Sequence, residues 1–392
     1  MYKFVNTRTK IIVFFIDLAG FFLWALFHIF TPWKIVGRKP LPDSPQKILL
    51  IRADYIGDVL LTTHTLKGIR ERFPKSHISY LVSSKSRKVL EGNPYIDRII
   101  TYDPPWFFKK DFKTALSEYM SVLSLIRKER FTLAADFRGD ARNIFLLTVL
   151  GRIPFRVSFA SSGGWFLLTT IADYPPRTHE SAYHTIIAET LGAKVDKTAL
   201  PEMFIGEKER EFAKLFFSRY NINNKDVTAV IHQGARLPLK QWPLERYGEV
   251  GRYLVSKHGA KIILTGAYGE APVVDRLRGL IGCDSSVISA AGTTGSLKEL
   301  KAIFDMCRLF IGTSSGPSHI AACAGVPVVL ISGPESVAQW RPIGNRCIIL
   351  KKEYPCCPCN EKECPYIDKG ENCILAVKTE DVKNAIDEIL RL

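Results

Sequence analysis

The sequence predicts an α/β protein built from two doubly wound halves, each a mostly parallel sheet flanked by helices, with an apolar helix ahead of both. Three observations lead there. Strand-like apolar runs alternate with helical patterns on both sides of the midpoint, which is βα grammar. A more polar stretch from Gly192 to Asp226 separates two such series. A chain of 392 residues also exceeds the length at which one hydrophobic core keeps growing. Segments 1–40, 41–205 and 206–392 are therefore expected to be an N-terminal membrane-associated segment and two Rossmann-like domains.

The first element is the run "IIVFFIDLAGFFLWALFHIF", residues 11–30. It reaches the roughly 20 residues a bilayer span needs, but it contains Asp17 and His28. At helical spacing Asp17, Gly20, Trp24 and His28 share one stripe, and large apolar residues cover most of the rest. That pattern suits a helix lying in the membrane interface. Lys3, Arg8 and Lys10 before it, and Lys34, Arg38 and Lys39 after it, add attraction to anionic lipid. A buried core helix is the plainer alternative.

After the proline-rich hinge "RKPLPDSPQ", strands are expected at Lys47–Arg52, His77–Val82, Arg98–Tyr102 and Phe131–Asp136. In the second half they are expected at Val227–His232, Lys261–Thr265, Ser286–Ala290, Arg308–Ile311, Val326–Ser332 and Arg346–Leu350. Sheets of this kind bind ligands beyond the carboxyl ends of their strands, so the loops after these runs hold the candidate residues.

With 46% hydrophobic and 24% charged residues the chain reads as globular rather than disordered. Its formal charge of +15, from 54 basic and 39 acidic residues, favours an anionic partner. Nucleic acid is disfavoured, because no zinc finger, aromatic RNA-binding signature or basic-region heptad is present.

The stretch Cys307–Pro334, "CRLFIGTSSGPSHIAACAGVPVVLISGP", runs from a strand through the small, hydroxyl-rich loop Thr313, Ser314, Ser315, Gly316 into a helix with Pro317 in its first turn. The N–H groups between Gly316 and His319, Ser318 included, would point out of that helix N-terminus towards a phosphate. A capped helix without a ligand is the plainer reading. In "VIHQGARLPLKQWPLERYGEV" a strand end is followed by Arg236 and Lys240, and Lys240 is placed to reach the same phosphate. In the first half, "ADFRGDARN" offers Arg138 and Arg142, followed by Arg152 and Arg156, as contacts for acidic or phosphorylated sugar. "HESAYH" does not read as a zinc site, because His179 and His184 are five residues apart and do not share a helix face.

Together, "IGDVLLTTHTLKGI", "KQWPLERYGEV", the stretch ending in "GTSSGPSHIAACAGVPVVLISGP", "QWRPIG" and the cysteine-rich tail resemble the heptosyltransferase family, glycosyltransferase family 9. The resemblance runs from about Lys47 to the C-terminus. It implies the GT-B arrangement of two facing Rossmann-like domains. It also implies inverting transfer of a heptose from an ADP-sugar to the inner core of lipopolysaccharide, at the cytoplasmic face of the inner membrane. The partners are then a nucleotide-sugar donor, a lipid-linked glycan acceptor and an anionic membrane surface, with no cofactor or metal required. Asp58 of "IGDV" matches the family's proposed general base, while Asp54 has no counterpart. The residues alone allow Asp58 merely to cap a helix starting at Val59. Lys240 and the Thr313–His319 turn would stabilise the departing diphosphate. Consistent with a metal-free scheme, the chain lacks an Asp-x-Asp pair.

The chain departs from the family at Ser314, where members usually carry an aspartate. A nucleotide-sugar epimerase of similar fold and a catalytically decayed glycan-binding scaffold stay open as alternatives. Of the tail cysteines, Cys356, Cys359, Cys364 and Cys373 could hold a structural zinc, although their spacing is not a matched pair of Cys-x-x-Cys knuckles.

Overall fold

The computed structural model describes residues 11, 13–15, 17–22, 40–282, 285–359, 364 and 372–391. The chain divides into two compact units, the first ending at Ala199 and the second beginning at Leu200.

The first unit carries six parallel strands: β1 (Lys47–Arg52), β2 (His77–Val82), β3 (Arg98–Thr101), β4 (Leu133–Asp136), β5 (Phe155–Ser158) and β6 (Thr170–Ile171). They lie in the order β3-β2-β1-β4-β5-β6. The second unit carries β7 (Thr228–His232), β8 (Lys261–Leu264), β9 (Val287–Ser289), β10 (Leu309–Thr313), β11 (Val328–Ile331) and β12 (Cys347–Leu350), in the order β12-β11-β10-β7-β8-β9. Counted within each unit the order is the same, and both sheets are parallel throughout. The ten strands expected from the sequence all form, within two residues at each end. β5 and β6 were not expected.

Strands buried on both faces become continuous apolar runs, and Ile48, Leu49, Leu50 and Ile51 of β1 are all fully buried. β7 and β10 behave alike, and Gly312 lets them pair closely: a Cβ there would lie 2.8 Å from the His232 carbonyl. In each sheet the strand order reverses next to the unit's first strand, between β1 and β4 and between β7 and β10. Such switch points open a crevice at the carboxyl ends of the strands, and the loops after β1, β4, β7 and β10 carry the candidate residues.

Among the described residues no helix is long and apolar enough to cross a membrane, so the spanning reading of residues 11–30 gains no support. The rest of that run, residues 23–30, lies outside the described residues, as do residues 12 and 16. The described residues between 11 and 22 are helical and lie on the first unit. Val13 and Asp17 are buried, and Asp17 Oδ1 accepts a hydrogen bond from the Gly164 N–H at 2.6 Å. Gly164 has φ +74°, a backbone conformation glycine adopts without strain. Gly20 packs so tightly on Phe166 that a Cβ there would come within 2.0 Å of the ring.

Candidate active site

The centre of the first unit's site is Arg52, the last residue of β1, whose side chain is fully buried. A buried guanidinium must be paired and hydrogen-bonded, and all three of its nitrogens are occupied. Nε meets Asp54 Oδ1 at 3.0 Å. Nη2 donates to Asp58 Oδ1 at 2.7 Å and to Glu180 Oε1 at 2.9 Å. Nη1 donates to the Phe137 carbonyl at 3.1 Å and to His184 Nε2 at 3.2 Å. Burial works to lower the Arg52 pKa, but the charges of Asp54, Glu180 and Asp58 outweigh it and hold the group well above its ordinary value. Burial, with the neighbouring Asp58 charge, raises the Asp54 pKa against the opposing pull of Arg52 and Arg138.

His184 serves as a neutral acceptor. Burial and then the Arg52 charge hold its pKa well below the ordinary value. Because Nε2 accepts from Arg52, Nδ1 carries the proton and donates to the Leu61 carbonyl at 3.0 Å. The same carbonyl receives Nδ1 of His64 at 2.9 Å.

Asp136, at the end of β4, shapes the facing loop. Its Oδ1 accepts the N–H groups of Arg138, Gly139 and Asp140 at 3.1, 2.6 and 3.2 Å. Gly139 sits at φ +69°, with a Cβ position only 2.9 Å from both Phe159 Cβ and Ser161 Oγ, so a side chain is excluded. This turn brings the Arg138 guanidinium onto Asp54 and over the Phe107 ring, 4.4 Å from its centroid. Arg142 makes a two-toothed pair with Asp140, at 2.9 and 2.7 Å, and lies 5.0 Å from the Trp106 ring centre. Its side chain is half exposed. The three carboxylates of Asp54, Asp58 and Glu180 thus face the two guanidinium groups of Arg52 and Arg138, leaving one negative charge in excess.

Asp58 is not a helix cap. The short helix spans Ile56–Leu60 with Tyr55 at the N-cap position, which places Asp58 inside the first turn. Its Oδ1 is bound to Arg52, and its Oδ2 is left to accept a further proton donor. Arg156 has a different role from the acceptor contact expected of it. It pairs with Ala134, two residues below the carboxyl end of β4, and its guanidinium donates to the carbonyls of Leu167 at 2.6 Å and Ile153 at 2.7 Å. Burial lowers its pKa, and it serves as a strand-to-loop tie.

In the second unit β10 ends at Thr313, and after Ser314 and Ser315 the helix Gly316–Cys323 begins. The Ser318 hydroxyl donates to the Ser315 carbonyl at 2.7 Å and accepts from the Ser315 N–H at 3.2 Å, which fixes the entry angle. Ser315 is the N-cap and Pro317 has no N–H, so the outward donors of the helix's first turn are Gly316 and Ser318, while the His319 N–H begins the intrahelical ladder. After β7 a tight turn at Pro238–Lys240 holds Lys240, whose Nζ lies 3.7 Å from Glu335 Oε2. Trp242 anchors this loop: it is buried, and its Nε1 donates to the Val377 carbonyl at 2.9 Å. Beside the turn is a cavity of about 410 Å³ lined by Gln233, Pro238, Trp242 and Glu270. A larger one, about 620 Å³, lies between β3 and the helix Phe112–Glu129, away from all of these groups. Chemistry, not volume, locates the site.

The cysteine-rich tail runs beside the same loops, and the Cys359 N–H donates to the Pro334 carbonyl at 3.0 Å. Burial, together with the Cys373 and Cys356 thiols, raises the Cys357 pKa. Among the described residues no group of three or more His, Cys, Asp or Glu side chains is placed to hold a metal. Most of the intervening segment, 360–363 and 365–371, lies outside the described residues.

Sequence reasoning missed Arg52, Glu180, His184 and Glu335. The signal for two of them lay in the stretch dismissed as a zinc motif. Glu180 and His184 are four residues apart on the helix Glu180–Thr190, hence on one face, and both turn to Arg52.

The fold has counterparts among known proteins. Lipopolysaccharide heptosyltransferase 3 of Escherichia coli is 24% identical over 348 residues, covering 86% of this chain and 96% of its own. A glycosyltransferase family 9 structure from Veillonella parvula superposes with a TM-score of 0.73 at 24% identity, covering 90% of this chain and 99% of its own. The E. coli ADP-heptose lps heptosyltransferase II structure gives 0.69 at 16%, covering 88% and 98%. The family model described as glycosyltransferase family 9 (heptosyltransferase) matches residues 120–369, more than half of the chain. The two repeated parallel sheets are accordingly those of a glycosyl-transferring enzyme, and the chain belongs to glycosyltransferase family 9.

Proposed function

We propose that this enzyme transfers a heptose from an ADP-sugar to the core of a lipopolysaccharide, with inversion and without a metal ion. The observation that carries the reading is the Arg52–Asp58 bond, which fixes one carboxylate oxygen of Asp58 and leaves the other for chemistry. In the proposed step Asp58 Oδ2 takes the proton of the acceptor hydroxyl as that oxygen attacks the anomeric carbon. The bond from that carbon to the diphosphate oxygen breaks, and its electron pair leaves with the nucleoside diphosphate. Lys240 and the N–H groups of Gly316 and Ser318 stabilise the charge that develops there. The cavity lined by Gln233, Trp242 and Glu270 is of a size to take the nucleoside.

Arg138 and Arg142, backed by the Phe107 and Trp106 rings and held by Asp54 and Asp140, offer guanidinium donors to acidic or phosphorylated acceptor sugars. The curated relative and the solved structure described above are named as lipopolysaccharide heptosyltransferases, which supports this acceptor class and disfavours the epimerase reading. The paired and hydrogen-bonded Asp58 also argues against a decayed scaffold.

The work site is proposed to be the cytoplasmic face of the inner membrane, with peripheral attachment. Ile11, Phe14, Phe15, Leu18, Phe21 and Phe22 are each 40–60% exposed on the helical residues that Asp17 ties to the first unit. Such a face lies in the headgroup region without crossing the bilayer.

The test is to incubate purified protein with ADP-heptose and a deacylated core acceptor, following product mass and anomeric configuration. An adduct of heptose mass with inverted configuration, unchanged by EDTA, is expected. Retention of configuration, or transfer restored only by added metal, would refute the scheme.

A further inference from the structure

We propose that Glu335 and Gln233, with the Thr313 hydroxyl, form a subsite that recognises the hydroxyl groups of the transferred sugar, and that Glu335 supplies the carboxylate missing at Ser314. The inference rests on the donor reading given above. Three adjacent strands, β11, β10 and β7, each deliver one of these side chains at the carboxyl end. Thr313 closes β10, Gln233 directly follows β7, and Glu335 lies four residues beyond the end of β11. All three side chains are more than nine-tenths buried. Yet Thr313 Oγ1, Gln233 Oε1 and Glu335 Oε2 have no hydrogen-bond partner.

Buried polar atoms are normally satisfied, and an unsatisfied group at the ligand end of a sheet is a group kept for a ligand. The chemistry of the three atoms selects the ligand. Two are pure acceptors and the third is a hydroxyl, so together they suit a donor of O–H groups and not another anion. Glu335 in particular would repel a diphosphate unless its charge were compensated. Lys240, 3.7 Å from Glu335 Oε2, compensates it at a distance too long for a hydrogen bond, so that oxygen stays available. Ser332 Oγ steadies the other oxygen at 3.3 Å. Gly333 lets this loop approach the Lys240 turn, since a Cβ there would stand 3.3 Å from the Leu239 carbonyl.

Seen this way, Ser314 is a relocation rather than a loss. Ser314 directly follows β10, and β11 is the strand paired beside it in register, Thr313 opposite Ile331. A carboxylate from the loop after β11 can therefore serve the same end of the sheet.

The experiment is calorimetric titration of ADP and ADP-heptose into wild type, Glu335→Gln, and Ser314→Asp/Glu335→Gln. Wild type should bind ADP-heptose more tightly than ADP. Glu335→Gln, nearly isosteric and so compatible with the fold, should cut the affinity for ADP-heptose about tenfold and change that for ADP by less than threefold. Adding Ser314→Asp should restore most of the difference. Equal changes for both ligands in Glu335→Gln, in either direction, would overturn the subsite and leave Glu335 as a partner of Lys240 alone. Failure of wild type to bind either ligand would instead overturn the donor reading on which the inference rests.

Discussion

Arg52 holds Asp58 by a single oxygen, Nη2 to Oδ1 at 2.7 Å, and gives the same nitrogen to Glu180 at 2.9 Å. The guanidinium is buried, so this geometry is enforced by the strand that carries it and does not depend on surface screening.

Removing the base is the direct test of that arrangement. Asp58→Asn should lower kcat by about a hundredfold or more, the usual scale of general-base assistance, with ADP binding nearly unchanged. Steady-state rates beside a titration with ADP separate the two effects. Normal turnover in a folded Asp58→Asn protein would remove Asp58 from the mechanism.

Arg52 should be felt twice, in stability and in rate. Arg52→Met removes the buried guanidinium from Glu180 and leaves Asp54 with Arg138 alone, and breaking a buried pair in this way costs roughly 3–5 kcal/mol, readable by urea denaturation. Arg52→Lys keeps the charge but not the fork, so it should fold and still turn over at least tenfold more slowly, because Asp58 loses its fixed orientation. A fully active Arg52→Lys enzyme would reduce Arg52 to a structural residue.

Much of this was readable from the chain, for physical reasons. Strands buried on both faces in a parallel sheet are long apolar runs, so β1, β7, β10 and β11 stand out. β5, with the sequence Phe-Arg-Val-Ser, does not, because Arg156 interrupts it and finds its partners in carbonyls that no sequence pattern announces. Asp58 was legible through its motif, but its partners were not. Glu180 lies 128 residues from Arg52, and only the packing of the helix Glu180–Thr190 against β1's end unites them. An arginine closing an all-apolar strand was nevertheless a usable signal, since a buried guanidinium requires carboxylates from somewhere. Glu335 gave no comparable sign.

The two imidazoles packed on the Leu61 carbonyl predict an acid-sensitive fold. Burial lowers His64 to about 4, against an ordinary value of 6.5, and holds His184 well below its own. Between pH 6.5 and about 4 the unfolded chain binds protons that the folded chain refuses. Stability is therefore full above pH 6.5 and falls as the pH drops through that window, by up to about 1.4 kcal/mol per pH unit for each histidine. Urea midpoints measured between pH 7 and 5 should decline, and the decline should be shallower in His64→Gln. A flat profile would mean that both rings are protonated without strain.

Lys240 should discriminate between parts of the donor. Lys240→Ala should weaken ADP at least tenfold while leaving adenosine within about twofold, since only the diphosphate meets the ammonium. Equal losses for both ligands would place Lys240 at the nucleoside instead, and no loss would remove it from the site.

The last prediction concerns the helical residues between 11 and 22. Their outward face is six large apolar side chains, whereas their inward face is anchored by Asp17 on the Gly164 N–H and by Gly20 against Phe166. Holding one face on the protein presents the other in a fixed direction, which a flexible tail would not do. Basic residues at Lys3, Arg8, Lys10, Lys34, Arg38 and Lys39 flank the apolar run in sequence, and each one near an anionic surface is worth about 1 kcal/mol. Phe14→Glu/Phe22→Glu should therefore abolish flotation with vesicles containing anionic lipid while leaving turnover of a short soluble acceptor unchanged. Raising salt should weaken the wild-type flotation, because the charge contribution is screened. Wild-type protein that stays off the vesicles, or a double variant that floats as well as wild type, would show that this apolar face meets something other than lipid.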